Sequence, residues 1–188
     1  RDRDGKLLSD PVHYRDARTD HILDSALHVM DGESLYGETG TQLLPINTLF
    51  QLLALREQEP ETLARAKTLL WMPDLFRYCL CGGVSTERSA ASTAQLLRLP
   101  QGEWSENILN GYGIGQDLLP PLVPGGSAVG RLPENGALVL ATAGHDTQCA
   151  VAALPDPGPD AAFLSCGTWS LLGCELDAPI LTPESMRL

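Results

Sequence analysis

Positive charge is scarce in this chain. Lys and Arg number 13 against 24 Asp and Glu, which leaves a net charge of −11 and an isoelectric point of about 4.6. A chain this acidic repels phosphate backbones and anionic lipid surfaces, so neither nucleic acid nor a membrane is an expected partner. The same charge favours solubility. Long apolar runs are missing too: no stretch approaches the about 20 residues that a membrane-spanning helix needs, and no charged-then-apolar leader opens the given sequence. Cysteine pairs at metal-ligand spacing are absent. The five cysteines (Cys79, Cys81, Cys149, Cys166 and Cys174) are odd in number and form no CxxC. The expectation is reduced, buried thiols in a cytoplasmic protein, not a disulfide or zinc framework. No internal repeat is present.

What remains is ample apolar material: 43% of the 188 residues are hydrophobic, enough for one ordinary domain or parts of two. Arg1 and the closing segment 182–188 both read as mid-chain sequence, so a piece of a longer protein is expected. Apolar spacing predicts a helix over about 19–30, a short helix over 33–38 ending at Gly40, and a helix from Thr48 with Asn47 as N-cap. Further helices are expected over about 60–70, with Pro60 in the first turn, over Pro73–Leu80 before Gly82-Gly83, and from Trp104 to about Gly111. Trp71 and Trp104 read as core residues. Small residues over 84–97 permit close backbone approach.

The texture changes after Leu118. Proline and glycine make 118–133 a loop with one short edge strand. Residues 137–143 form an apolar run expected to be a buried strand. Gly144-His145-Asp146-Thr147 follows, then a helix of small residues to Leu154. Residues 155–159 (Pro-Asp-Pro-Gly-Pro) have linker composition, and two strands, 161–165 and 169–174, flank a Cys166-Gly167-Thr168 turn.

Two of these units can carry chemistry. Asp146 lies at the carboxyl end of a strand, where open α/β sheets bind ligands. A carboxylate there can take a proton from a substrate hydroxyl, and the next helix N-terminus offers free N–H groups. Taken alone, Asp146 reads first as that helix's N-cap, with His145 exposed beside it. The Gly167-Thr168 turn can hold a phosphate through N–H and hydroxyl groups, or be a plain hairpin. Together, 22 residues apart and on either side of a linker, a carboxylate and a phosphate turn would face each other across a cleft, as phosphoryl transfer requires. His13, His21 and His28 lack carboxylate partners at ligand spacing and read as solvated or capping residues. Glu87 and Arg88, beside the small-residue segment, either line the cleft or, the favoured reading, form a surface pair.

The run Ala143-Gly144-His145-Asp146-Thr147, with Ala150-Val151-Ala152-Ala153 and Gly167-Thr168-Trp169-Ser170, resembles the FGGY carbohydrate kinases. Within them the chain is most similar to the L-rhamnulokinases, which also share segments like 14–20, 45–52, Met72-Pro73-Asp74 and 93–97. The resemblance implies an α/β, ribonuclease H-like fold of the actin/hexokinase type. Residues 1–155 would be the remainder of an N-terminal sugar-binding domain, and 156–188 the linker and first hairpin of a C-terminal ATP-binding domain. It implies transfer of phosphate from ATP, accompanied by Mg²⁺, to a ketose, with L-rhamnulose the expected one. Asp146 would be the general base, and His145 and Thr147 would contact the ketose. Gly167 and Thr168 would meet the ATP phosphates. Tyr14 stands where many relatives place a sugar-side Trp, or is a core anchor. The family's first phosphate hairpin and most of its nucleotide domain have no counterpart in the sequence given, so this segment alone is expected to be inactive. Another ketose or polyol kinase, or a non-catalytic sugar-binding remnant, are the competing readings.

Overall fold

Small polar caps and apolar positions at helical spacing lay out the first half of the molecule. The computed structural model describes residues 1–155, 158 and 161–187. A 3-10 turn, Ala17–Thr19, is capped by Asp16, whose carboxylate accepts from the Arg18 N–H. Helices α1 (Ile22–Leu27), α2 (Gly32–Thr39), α3 (Thr48–Gln58), α4 (Pro60–Arg65) and α5 (Met72–Cys81) follow. Asp31 caps α2 by accepting from the Ser34 N–H and hydroxyl. Both α2 and α5 end on a left-handed glycine, Gly40 and Gly82, a conformation that strains any residue with a Cβ.

Two expected helices are shorter than predicted, each for an identifiable reason. The one expected over 19–30 splits into the 3-10 turn and α1, and stops where the His28 ring bonds back to the Asp24 carbonyl at 2.8 Å. The one over 60–70 stops at Arg65 because the next amides are taken elsewhere. Lys67 and Thr68 N–H donate to the Arg1 carbonyl, and Leu69 N–H donates to Leu118. Asn47 does sit at the N-cap of α3, but its side chain does not cap. Its amide instead donates to the Gln42 carbonyl and to Gln95 Oε1.

The second half mixes short strands with helices: β1 (Thr86–Glu87), α6 (Arg88–Ser92), β2 (Leu97–Arg98), β3 (Glu103–Trp104), α7 (Glu106–Gly111), β4 (Leu122–Val123), β5 (Ala128–Arg131), β6 (Leu138–Leu140), α8 (Asp146–Ala152), β7 (Ala162–Cys166), β8 (Ser170–Cys174) and α9 (Pro183–Met186). Trp104 ends β3 instead of opening a helix; Ser105 caps α7 by accepting from the Ile108 N–H. Among the described residues the strands form four two-stranded pairs. β1 runs parallel to β4, while β2–β3, β5–β6 and β7–β8 are antiparallel. The loop expected over 118–133 thus contributes two strands, not one edge strand. Most of the proposed 155–159 linker (Asp156, Pro157 and Pro159) lies outside the described residues.

The core joins α1, α2, α3 and α7. Leu35, Leu49, Phe50, Leu96 and Ile108 are fully buried there. Each large apolar side chain so removed from water contributes about 1.5–3 kcal/mol before entropy is counted. Gln95, fully buried with φ of 60°, is held in its left-handed conformation by hydrogen bonds from its amide to Thr39 Oγ1 at 2.7 Å and to the Thr41 carbonyl. Trp71 and Trp104 pack on this core as expected, with parallel indoles.

Two burial expectations fail. The apolar run 137–143 does contain a strand, but Leu138 and Leu140 of β6 are about half exposed and only Ala141 is buried. The β5–β6 pair has α5 packed against it, and the alternate side chains point away. The cysteines are free, but Cys79, Cys149, Cys166 and Cys174 are exposed, not buried; Cys81, half-buried, donates to the Arg77 carbonyl. The chain end folds back onto α2, where the Tyr36 hydroxyl donates to Ser185 Oγ at 3.0 Å. No helix among the described residues is long and apolar enough to cross a membrane.

Candidate active site

The turn at residues 144–147 is built from a helix start and a close backbone contact. β6 delivers the chain to Ala141, and α8 begins at Asp146. His145, not Asp146, is the N-cap: its Nδ1 accepts from the Gln148 N–H at 3.4 Å. Asp146 occupies the first helical position, where its Oδ1 accepts from the Thr147 N–H at 2.8 Å. Two amides at the helix start are therefore already satisfied by local side chains, contrary to the free N–H groups expected. Asp146 is exposed, and its Oδ2 has no protein partner among the described residues. A carboxylate with one oxygen anchored and the other open is oriented and still able to accept a proton.

Gly144 fixes the turn to the rest of the molecule. A Cβ at this position would lie 2.8 Å from Ala90 Cβ and 3.4 Å from Pro73 Cγ, so the backbone rests directly on α6 and the start of α5. Its N–H donates to Glu87 Oε2 at 3.0 Å and to Ser89 Oγ at 3.1 Å. Glu87 and Arg88 are thus not a surface pair. Glu87 is 5% exposed, caps α6 and accepts from the Ser89 hydroxyl and the Ser89 and Ala90 amides, while Arg88 points to solvent. Burial pushes the Glu87 carboxyl up, but the donors from Ser89, Gly144 and Ala90 outweigh it and hold the group below its ordinary value.

Beneath Glu87 lies a second buried acid. Asp74, with no exposed surface, pairs with Arg77 and accepts from the Thr86 hydroxyl and from the Trp71 N–H. Burial pushes its carboxyl above the ordinary value although Thr86 and Arg77 oppose that shift. Thr86 and Glu87 are neighbours on β1 and point to opposite sides, one to α5 and one to the turn.

The hairpin β7–β8 presents the second predicted unit. Its strands pair in register from Ala162↔Cys174 to Cys166↔Ser170, which leaves Gly167-Thr168-Trp169 as the turn. The Gly167 N–H donates across the turn to the Trp169 carbonyl at 2.9 Å and is not free. Thr168 is exposed and its hydroxyl has no partner among the described residues.

All six residues nominated from the sequence line one cleft of about 1040 Å³: Tyr14, His145, Asp146, Thr147, Gly167 and Thr168. Tyr14 is 38% exposed, stacked on His13 with the Arg15 guanidinium over its ring, and is no core anchor. His13, His21 and His28 are exposed and bonded locally or to Glu57. Sequence reasoning missed Gln51 and Arg18, which also line the cleft. Gln51 is the one polar side chain among the apolar residues 49–55, and its buried Nε2 has no partner among the described residues. That isolation is the signal that could have marked it. Among the described residues no three His, Cys, Asp or Glu side chains are grouped to hold a metal.

Residues 1–153 match the N-terminal domain of the FGGY family of carbohydrate kinases. The chain is 40% identical to a rhamnulokinase from Enterobacter sp. (strain 638) over 98% of its length, and 41% identical to a rhamnulokinase from Yersinia pestis bv. Antiqua (strain Angola) over 95%. It spans 38% of the length of each. Its fold superposes on that of a ligand-bound xylulose kinase from Lactobacillus acidophilus with a TM-score of 0.84 over 98% of this chain and 39% of that one, at 19% identity. The fold is therefore the α/β, actin/hexokinase-type fold of these sugar kinases. With four-fifths of its length matched to that domain, the chain belongs to the FGGY family of carbohydrate kinases.

Proposed function

We propose that the protein containing this chain transfers the terminal phosphate of ATP to a ketose, and that the ketose is L-rhamnulose, giving L-rhamnulose 1-phosphate. The observation that carries the reading is the convergence of Tyr14, His145, Asp146, Thr147, Gly167 and Thr168 on one cleft. The substrate assignment is supported by the 40% identity to a rhamnulokinase. Residues 1–155 act as the sugar-binding domain, and 156–188 begin the nucleotide-binding one.

In this reading Asp146 Oδ2 takes the proton of the ketose terminal hydroxyl as its oxygen bonds to phosphorus, and the bond from phosphorus to ADP breaks. Thr147 N–H keeps the other carboxylate oxygen in place. His145, Thr147 and Tyr14 orient the sugar. Thr168 supplies a hydroxyl to the phosphates, with Gly167 allowing the tight turn that presents it. Mg²⁺ arrives with ATP as part of the substrate. A cytoplasmic setting fits five cysteines that are all free.

Ketose-dependent ADP release by the intact protein tests the reading. L-rhamnulose is expected to outperform xylulose, ribulose and glycerol, and Asp146→Asn is expected to lower kcat by about 10²–10⁴-fold, the range for a general base. Wild-type turnover in Asp146→Asn removes the base assignment, and a better rate with another sugar removes rhamnulose.

A further inference from the structure

One contact in this region joins residues far apart in sequence and is not needed by the element that supplies it. Glu87 caps α6 through the amides of Ser89 and Ala90 alone, which is all that a helix start asks of its N-cap. The Glu87–Ser89 pair nevertheless takes a further donor, the Gly144 N–H, from 57 residues away. Gly144 is two residues before Asp146, and the stretch between carries only His145. A Cβ on Gly144 would meet Ala90 and Pro73, so the turn that takes this hydrogen bond also lies close against α6 and the start of α5.

We propose that Glu87 is the positioning residue of the base-bearing turn: its buried carboxylate anchors the Gly144 N–H and thereby sets where Asp146 meets the ketose hydroxyl. The proposal rests on the kinase reading above. Glu87 does not line the cleft. Its action passes through the backbone, where a displacement of about 1 Å can cost two orders of magnitude in rate.

The variant that separates this role from simple capping is Glu87→Asp. Aspartate is itself a good N-cap and preserves α6, but its carboxylate is one methylene shorter and withdraws from Gly144. In the intact protein, Glu87→Asp is expected to lower kcat by about tenfold or more, with the KM for ATP and the thermal midpoint near wild type. Amide hydrogen exchange in a peptide covering 143–147 is expected to speed up by about tenfold, as for loss of one charge-assisted hydrogen bond, while exchange in α3 stays unchanged. Either an unchanged kcat or unchanged exchange at 143–147 overturns the proposal. Ser89→Ala, which removes the other acceptor at Gly144, carries the same two readouts if Glu87→Asp does not fold. If the wild-type protein shows no ketose-dependent ADP release, the kinase reading fails and the positioning role falls with it. The exchange measurement would then still report whether Glu87 clamps Gly144.

Discussion

The indoles of Trp71 and Trp104 lie 5.7 Å apart and within 9° of parallel, both packed on the core, with Trp71 also lining the cleft. Each ring is also tethered by its N–H, Trp71 to Thr48 Oγ1 at 3.0 Å and Trp104 to the Pro120 carbonyl at 3.1 Å. The pair connects the N-terminus of α3 and the entry to α5 with β3 and the segment before β4.

Truncating these rings should therefore separate stability from binding. Trp104→Ala and Trp71→Ala are each expected to lower the unfolding free energy by up to about 3 kcal/mol. The double variant should fall short of additivity by about 0.5–1.5 kcal/mol, the value of an aromatic pair beyond its area. Urea denaturation of the intact protein measures both. Because Trp71 alone of the two lines the cleft, Trp71→Ala should also raise the ketose KM, and Trp104→Ala should not.

The Asp74–Arg77 pair yields a pH-dependent prediction. Removing Arg77 leaves Asp74 buried without its counter-charge, which costs about 3–5 kcal/mol at neutral pH. The folded carboxyl of Asp74 already lies above its ordinary 3.8. A raised carboxyl contributes stability that is fully present below 3.8 and lost as pH rises through the folded value. The deficit of Arg77→Met should accordingly be smaller at pH 4 than at pH 7, and Asp74→Asn should remove much of that difference. Chemical denaturation at the two pH values would refute this if the deficit were the same at both.

Gly144 predicts a paired substitution. Gly144→Ala places a methyl 2.8 Å from Ala90 Cβ and should cost about 1–3 kcal/mol through overpacking. The strain falls on the turn that carries Asp146, so kcat should drop with the thermal midpoint. Ala90→Gly removes the opposing methyl, and the double variant should regain part of both. Failure of the second change to recover either would place the strain elsewhere.

Much of this was legible in local sequence because the physics is local. Gly40 and Gly82 mark helix ends, and Gly144-His145-Asp146-Thr147 before small residues marks a strand-to-helix turn. What escaped was decided across distance. Nothing in the composition of residues 66–69 shows that their amides bond Arg1 and Leu118, so α4 was expected to run too far. Asn47 has the chemistry of a cap, but the buried Gln95 claims it. Glu87 beside Arg88 resembles a solvated pair until Gly144 is brought to it. At the site, the residue types were readable while their local bonding was not. The cap role moved from Asp146 to His145, which left one Asp146 oxygen open.

The link from Gly144 to Glu87 also sets an order of assembly. The Ser89 and Ala90 donors lie within three residues of Glu87, so they can orient its carboxylate as soon as α6 forms. The arriving turn then docks on an acceptor that is already aimed. What it must overcome is the entropy of closing a 57-residue loop. That cost rises slowly with length, by only about 0.6 kcal/mol per doubling. During synthesis β1 and α6 emerge well before residue 144, so the acceptor precedes the turn that bears the base.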